Sequence, residues 1–161
     1  LSLKLRRSLI MARASYLEQN SGATFAHKKK VVNLTAAYQL LEEDSGKILM
    51  LNSATEFATT LPAIADAGIG WYCKIVVDAA PSAASYTVVE KASDDTDVII
   101  VNGINELEVD TADDGVYNAG CTTLTFVDGV AVQGDFIDIW CDGSNYYVSG
   151  QTKADGGLTA A

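Results

Sequence analysis

Histidine, proline and cysteine are all scarce in this chain, and the scarcities remove whole classes of function. The 161 residues include one histidine, two prolines and three cysteines. The single His27 precedes three lysines, so a Ser-His-Asp or Cys-His arrangement would have to recruit a basic N-terminal stretch. A zinc site needs more convergent Cys and His ligands than the chain offers. Cys73, Cys121 and Cys141 are odd in number, lack C-x-x-C spacing and sit inside apolar or Thr-rich runs. Such cysteines usually serve as small buried hydrophobes; one disulfide stays open, but a disulfide framework is not expected. No G-x-S-x-G elbow, P-loop or dinucleotide glycine pattern occurs. No apolar run approaches the roughly 18–20 residues of a membrane helix, so no membrane partner is assigned. The opening LSLKLRRSLIMARAS is basic around an apolar core, SLIMA, shorter than the roughly 7–15 residues of a signal core. It reads as a basic amphipathic arm. Met11 lies downstream of Leu1, so a start at Met11 and processing of the arm both stay open.

Charge is plentiful and unevenly divided. The net charge of −10 hides a first stretch, residues 1–30, in which Lys4, Arg6, Arg7, Arg13, Lys28, Lys29 and Lys30 face Glu18 alone. The remainder carries four basic against twenty acidic residues, a net −16. A basic arm on an acidic body points to a partner with an acidic surface, and those seven basic residues are assigned as its contacts. Nucleic acid is disfavoured, because the body would repel phosphate and no aromatic residues interleave with the basic ones. The organisation expected is an extended arm over 1–30 and a single β domain over 31–161.

Beyond the arm, apolar residues recur with a period near two in short runs bounded by turn residues. KVVNLTA (30–36), GKILMLN (46–52), FATTLP (57–62) and SYTVVE (85–90) are such runs, as are DVIIVNG (97–103) and INELEVD (104–110). WYCKIVVD (71–78) sets Trp71, Cys73 and Ile75 on one face and Tyr72, Lys74 and Val76 on the other. In TTLTFVDG (122–129), Leu124 and Phe126 point inward; in INELEVD, Ile104, Leu107 and Val109 are the apolar positions. TAAYQLLEEDSG (35–46) offers at most a helical turn. Short strands with turn signals every 8–12 residues or so predict a mainly β fold, an antiparallel sandwich or barrel of jelly-roll-like form.

Three kinds of candidate chemistry remain. Glu56, Glu90, Glu106 and Glu108 could supply paired carboxylates, yet Glu106 and Glu108 alternate outward on one strand. No acid, base and stabiliser converge, so no catalytic residue, metal ligand or cofactor is assigned. The acidic loops KASDDTD (91–97) and DTADDGVYNAG (110–120) do not fit an EF-hand and read as solvated loops, with calcium as the alternative. Trp71, Tyr72, Tyr146 and Tyr147 could stack on sugar rings, but strand aromatics more often serve a core or a subunit contact.

The run GDFIDIWCDGSNYYVSG (134–150) is a hairpin with its turn at Asp142-Gly143. Ile137, Ile139 and Cys141 share one face, and Phe136, Asp138 and Trp140 the other. A strand with aromatic bulk on its second face is either sandwiched between layers or shared with a neighbouring subunit. Phe136, Asp138, Trp140, Tyr146 and Tyr147 are therefore assigned as subunit contacts.

DSGKILMLNSATEFATTLP, followed by AGIGWYCKIVV, SYTVV and TFVDGVAVQGDFIDIWCDGSNYYVSGQT, resembles small β-rich virion proteins of tailed bacteriophages. The resemblance covers about residues 44–152 and centres on a G-D-x-Φ-x-Φ-x-x-D-G-x-x-W/Y-Y-V-x-G hairpin, Φ being apolar. Here Tyr146 stands where that hairpin commonly has Trp. The resemblance implies a capsid decoration or cement protein on the virion exterior, a homotrimer bridging copies of the major capsid protein. The alternative within it is a tail or fibre component with receptor or glycan contacts. The arm matches no motif of that family, and its assignment rests on charge.

Overall fold

The computed structural model describes residues 29–53, 55–93, 97–108 and 115–161, and within them the chain is two β-sheets enclosing one apolar core. The larger sheet runs, in spatial order, β1 (Val31–Leu34), β3 (Ile48–Leu51), β5 (Tyr72–Val77), β10 (Phe136–Cys141), β11 (Tyr146–Thr152), β7 (Ile99–Glu106) and β8 (Val116–Cys121). The smaller runs β12 (Leu158–Ala160), β9 (Thr123–Phe126), β6 (Tyr86–Val89), β4 (Ala58–Thr60) and β2 (Tyr38–Gln39). A 3-10 turn at Glu42–Asp44 and a four-residue helix α1 (Ile64–Ala67) complete it.

The fold is mainly β, as the period-two pattern implies, but its sheets are mixed. Half of the described strand pairs are antiparallel; β1–β3, β3–β5, β2–β4, β4–β6 and β11–β7 are parallel. From β1 to β6 the chain alternates between the layers, so each strand returns to its own sheet one crossing later in the same direction. A parallel neighbour needs just such a crossover rather than a tight hairpin. At the opposite side of the sandwich the sheets are tied together, with Asn118 Nδ2 donating to the Ala160 carbonyl at 3.3 Å.

Alternation translates directly into packing. Trp71, Cys73 and Ile75 are buried, as are Leu124, Phe126, Ile137, Ile139 and Cys141. Each fully buried large aliphatic or aromatic side chain contributes roughly 1.5–3 kcal/mol over leaving it in water. Buried aromatics also find polar partners. Trp71 Nε1 donates to the Leu41 carbonyl at 3.1 Å, and Tyr146 Oη to the Pro62 carbonyl at 2.8 Å. Their rings meet edge-to-face with centroids 5.8 Å apart. All three cysteines are buried thiols rather than halves of disulfides; desolvation pushes the Cys73 thiol up, and the Cys121 thiol up to about 11.

Some expectations are corrected. The two runs at 97–103 and 104–110 are one strand, β7, which passes through Gly103 at φ 146°, a backbone angle that only glycine adopts readily. Leu107, one of the apolar positions of the second run, is 56 % exposed, because β7 ends at Glu106 and its alternation stops there. Val109 lies outside the described residues. The stretch at 116–120, read as loop, is strand β8, and the last strand, β12, has no alternating pattern long enough to register.

Candidate docking surface

Register across the larger sheet assembles its outer face row by row. Tyr72 on β5 stands opposite Trp140 on β10, Trp140 opposite Tyr147 on β11, and Tyr147 opposite Ile100 on β7. The next row runs Val31, Ile48, Lys74, Asp138 and Ser149. A third runs Asn33, Met50, Val76, Phe136 and Gln151. Residues directly opposite on neighbouring strands share a face, so these rows form one continuous surface.

Nine of the fourteen residues in these rows are aromatic or aliphatic, where a solvated sheet face would be mostly polar. Trp140 is 45 % exposed and stacks on Tyr147 with centroids 4.4 Å apart and planes 15° apart. The outer face of the smaller sheet provides the contrast. Its outward positions include Thr60, Thr87, Thr123, Thr125 and Thr159, the polar β-branched residues expected of a strand facing water. One sandwich thus has one outer face rich in threonine and one in which aromatic and aliphatic side chains predominate. The grouping of apolar side chains on this one face makes it the candidate docking surface.

Its electrostatics are closed within the patch. Lys74 Nζ pairs with Asp138 Oδ2 at 2.9 Å and lies 3.4 Å from the centre of the Phe136 ring. Tyr72 Oη donates to the other oxygen of Asp138 at 2.9 Å. Lys29 Nζ donates to Tyr72 Oη at 3.1 Å and sits over that ring, and this hydrogen bond raises the Lys29 pKa. A partly exposed ion pair contributes at most about 1 kcal/mol to stability. Its larger consequence is that Lys29, Lys74 and Asp138 together leave the patch without net negative charge on an acidic body.

The turn that sets this register is built from Asp142. Its Oδ1 accepts the backbone N–H groups of Ser144 and Asn145 at 2.7 and 2.8 Å, and those bonds, Asn145 first, hold its carboxyl below the usual range. Asp142 also raises the pKa of the Tyr147 phenol through a side-chain hydrogen bond. Gly150, at the end of the hairpin, allows close approach: a Cβ there would press into the Phe136 carbonyl and the Ile137 backbone.

Of the assigned subunit contacts, Phe136, Asp138, Trp140 and Tyr147 come together on this face. Tyr146 does not. It pairs with inward-facing Cys141 and is fully buried in the chain's own core, so its assignment as a surface contact is corrected. Trp71, a candidate for sugar stacking, is likewise core at 2 % exposure. Among the arm residues, Lys29 and Lys30 are described and exposed, while Lys4, Arg6, Arg7, Arg13 and Lys28 lie outside the described residues. Nothing in the residue order marks the flanking members Tyr72, Lys74, Val76, Ile48 and Ile100 as part of this surface, because only strand pairing joins them to the hairpin.

The glutamates do not converge. Glu56 accepts the backbone N–H groups of Ser82 and Ala84, the Ser82 bond chiefly lowering its pKa. Glu90 accepts from Val98 N and Glu106 from Gly156 N, so each tends a different loop. Among the described residues no three His, Cys, Asp or Glu side chains are grouped to hold a metal ion; Asp94, Asp95 and Asp110–Asp114 of the acidic loops lie outside them. No family model, no curated protein and no solved structure matches this chain.

Proposed function

We propose that this protein is a structural assembly protein, a decoration or cement protein on the exterior of a bacteriophage head. In this reading it forms a homotrimer through the aromatic face of the larger sheet, and its basic arm clips to acidic patches of the shell or to the next trimer. The observation that carries the assembly part is the contrast between the two outer faces, one threonine-rich and one bearing Tyr72, Phe136, Trp140 and Tyr147 around a closed ion pair. The virion part rests on the hairpin resemblance. Buried aromatic anchors at the centre of such faces commonly carry most of an interface's binding energy. A threefold ring is heterologous, so the aromatic face of one copy would meet a different surface of the next. Weak arm contacts, several per trimer, would add through effective concentration.

The fibre reading with glycan contact has less support, because Trp71 and Tyr146 are buried and Trp140 and Tyr147 each give one ring face to the other. The test is immunogold labelling of virus particles from a culture producing the chain. Label over the head lattice is expected. Label on tail fibres would move the assignment to the alternative, and particles without label would overturn the virion reading.

A further inference from the structure

A wide groove lies away from the aromatic face. It is open, encloses about 840 Å³ and runs between the segment around the 3-10 turn and the loop leading into α1. Leu41, Pro62, Ala63 and Ala67 supply apolar lining, while Glu42, Glu43 and Asp66 stand exposed along it. Lys91 is the one basic residue among the described lining residues, and its amine donates to Gln39 Oε1 at 2.7 Å. Both walls are anchored to buried aromatics, one through Trp71 to the Leu41 carbonyl and the other through Tyr146 to the Pro62 carbonyl. Gln39 Nε2 adds a bond to the Leu61 carbonyl at 2.8 Å beneath them. The groove is therefore preformed, and ordering its walls adds little cost to binding.

An apolar floor edged by three carboxylates suits a segment that mixes aliphatic and cationic side chains. The chain carries such a segment. LSLKLRRSLIMARAS, residues 1–15, combines Leu1, Leu3, Leu5, Leu9, Ile10 and Met11 with Lys4, Arg6, Arg7 and Arg13, and contains no carboxylate. The position of Lys29 bears on the reach of that segment. Lys29 is fixed on Tyr72, the neighbour of Trp71, whose indole holds the groove wall, so the root of the segment lies at the same end of the sandwich. The fourteen steps from Lys29 back to Ser15 span up to roughly 46 Å when extended, enough to reach the groove of the same copy or of one beside it.

We propose that this groove is the receptor for residues 1–15 of this chain, taking their leucine side chains on its floor and their arginines against Glu42, Glu43 and Asp66. The inference stands independently of the virion reading, and its test involves no capsid. Two measurements on the full chain decide it. In limited trypsin digestion read by mass spectrometry, cleavage after Arg6, Arg7 and Arg13 should be about tenfold slower in the wild type than in the E42Q/E43Q/D66N variant. The difference should shrink in molar salt. Equal rates would overturn the proposal. The three substituted groups are exposed, so the variant should fold with the wild-type circular dichroism spectrum. Zero-length carbodiimide cross-linking of the unaltered protein gives a reading independent of that variant. Links from Lys4 to Glu42, Glu43 or Asp66 are expected, and mixing isotope-labelled with unlabelled protein shows whether the groove belongs to the same copy or a neighbour. Links from Lys4 to other carboxylates alone would overturn the assignment, and so would binding of free arginine that leaves the digestion rates unchanged.

Discussion

The two tryptophans should respond in opposite ways to the same substitution. Trp71 is 2 % exposed, packs edge-to-face on Tyr146 and satisfies the Leu41 carbonyl. Replacing it with alanine removes a buried ring and orphans that carbonyl, at a cost of about 3–5 kcal/mol. Trp140 is 45 % exposed, and Trp140→Ala chiefly removes its stack on Tyr147. Removing that stack should cost only about 1 kcal/mol. For a chain of this size each kcal/mol moves Tm by roughly 2–4 °C, so Trp71→Ala should melt some 6–20 °C below wild type and Trp140→Ala within about 5 °C of it. The assay is thermal or urea unfolding followed by circular dichroism, at dilution low enough to keep the protein monomeric. Docking should show the reverse order, with Trp140→Ala weakening association by an order of magnitude or more. Equal destabilisation by the two substitutions would refute the division of this chain into a core aromatic and a contact aromatic.

Other outcomes follow from the hairpin and the core. Gly150→Ala should destabilise by about 1–3 kcal/mol in urea titrations, since its Cβ has no room beside the Phe136 carbonyl. Asp142 has a folded pKa below its unfolded one, so its contribution is complete above about pH 4 and is lost as pH falls from there through the lowered value. Asp142→Asn, which keeps an acceptor for the turn, should therefore show a smaller drop in urea midpoint between pH 6 and pH 3 than wild type. Cys73, Cys121 and Cys141 are buried, and the thiol pKa values of Cys73 and Cys121 are raised, so a thiol reagent at pH 8 should label none of the three in the native protein and all three in urea.

Much of the hairpin is legible because a strand's side chains alternate with fixed period. Phe136, Asp138 and Trp140 fall opposite Ile137 and Ile139 from the residue order alone. The burial of Tyr146 is legible too, through the turn: four residues, Asp142–Asn145, pair Cys141 with Tyr146 and Trp140 with Tyr147, so Tyr146 shares the inward face of Cys141. What lies beyond the sequence is long-range pairing. Nothing local in Tyr72 or Ile100 shows that they flank the Trp140–Tyr147 pair, and nothing in the spacing of β1 to β6 distinguishes a hairpin from a crossing between layers. The groove is hidden for the same reason, since its walls come from segments some twenty residues apart that the buried Trp71 and Tyr146 draw together.

The central claim is that the outer face of the larger sheet is a contact surface. Sedimentation velocity at tens of micromolar protein tests it on wild type, Trp140→Asp and Thr125→Asp. A trimer for wild type and Thr125→Asp, with a monomer for Trp140→Asp, is the expected result. A wild-type monomer, or a Trp140→Asp protein that associates as well as Thr125→Asp, would contradict it.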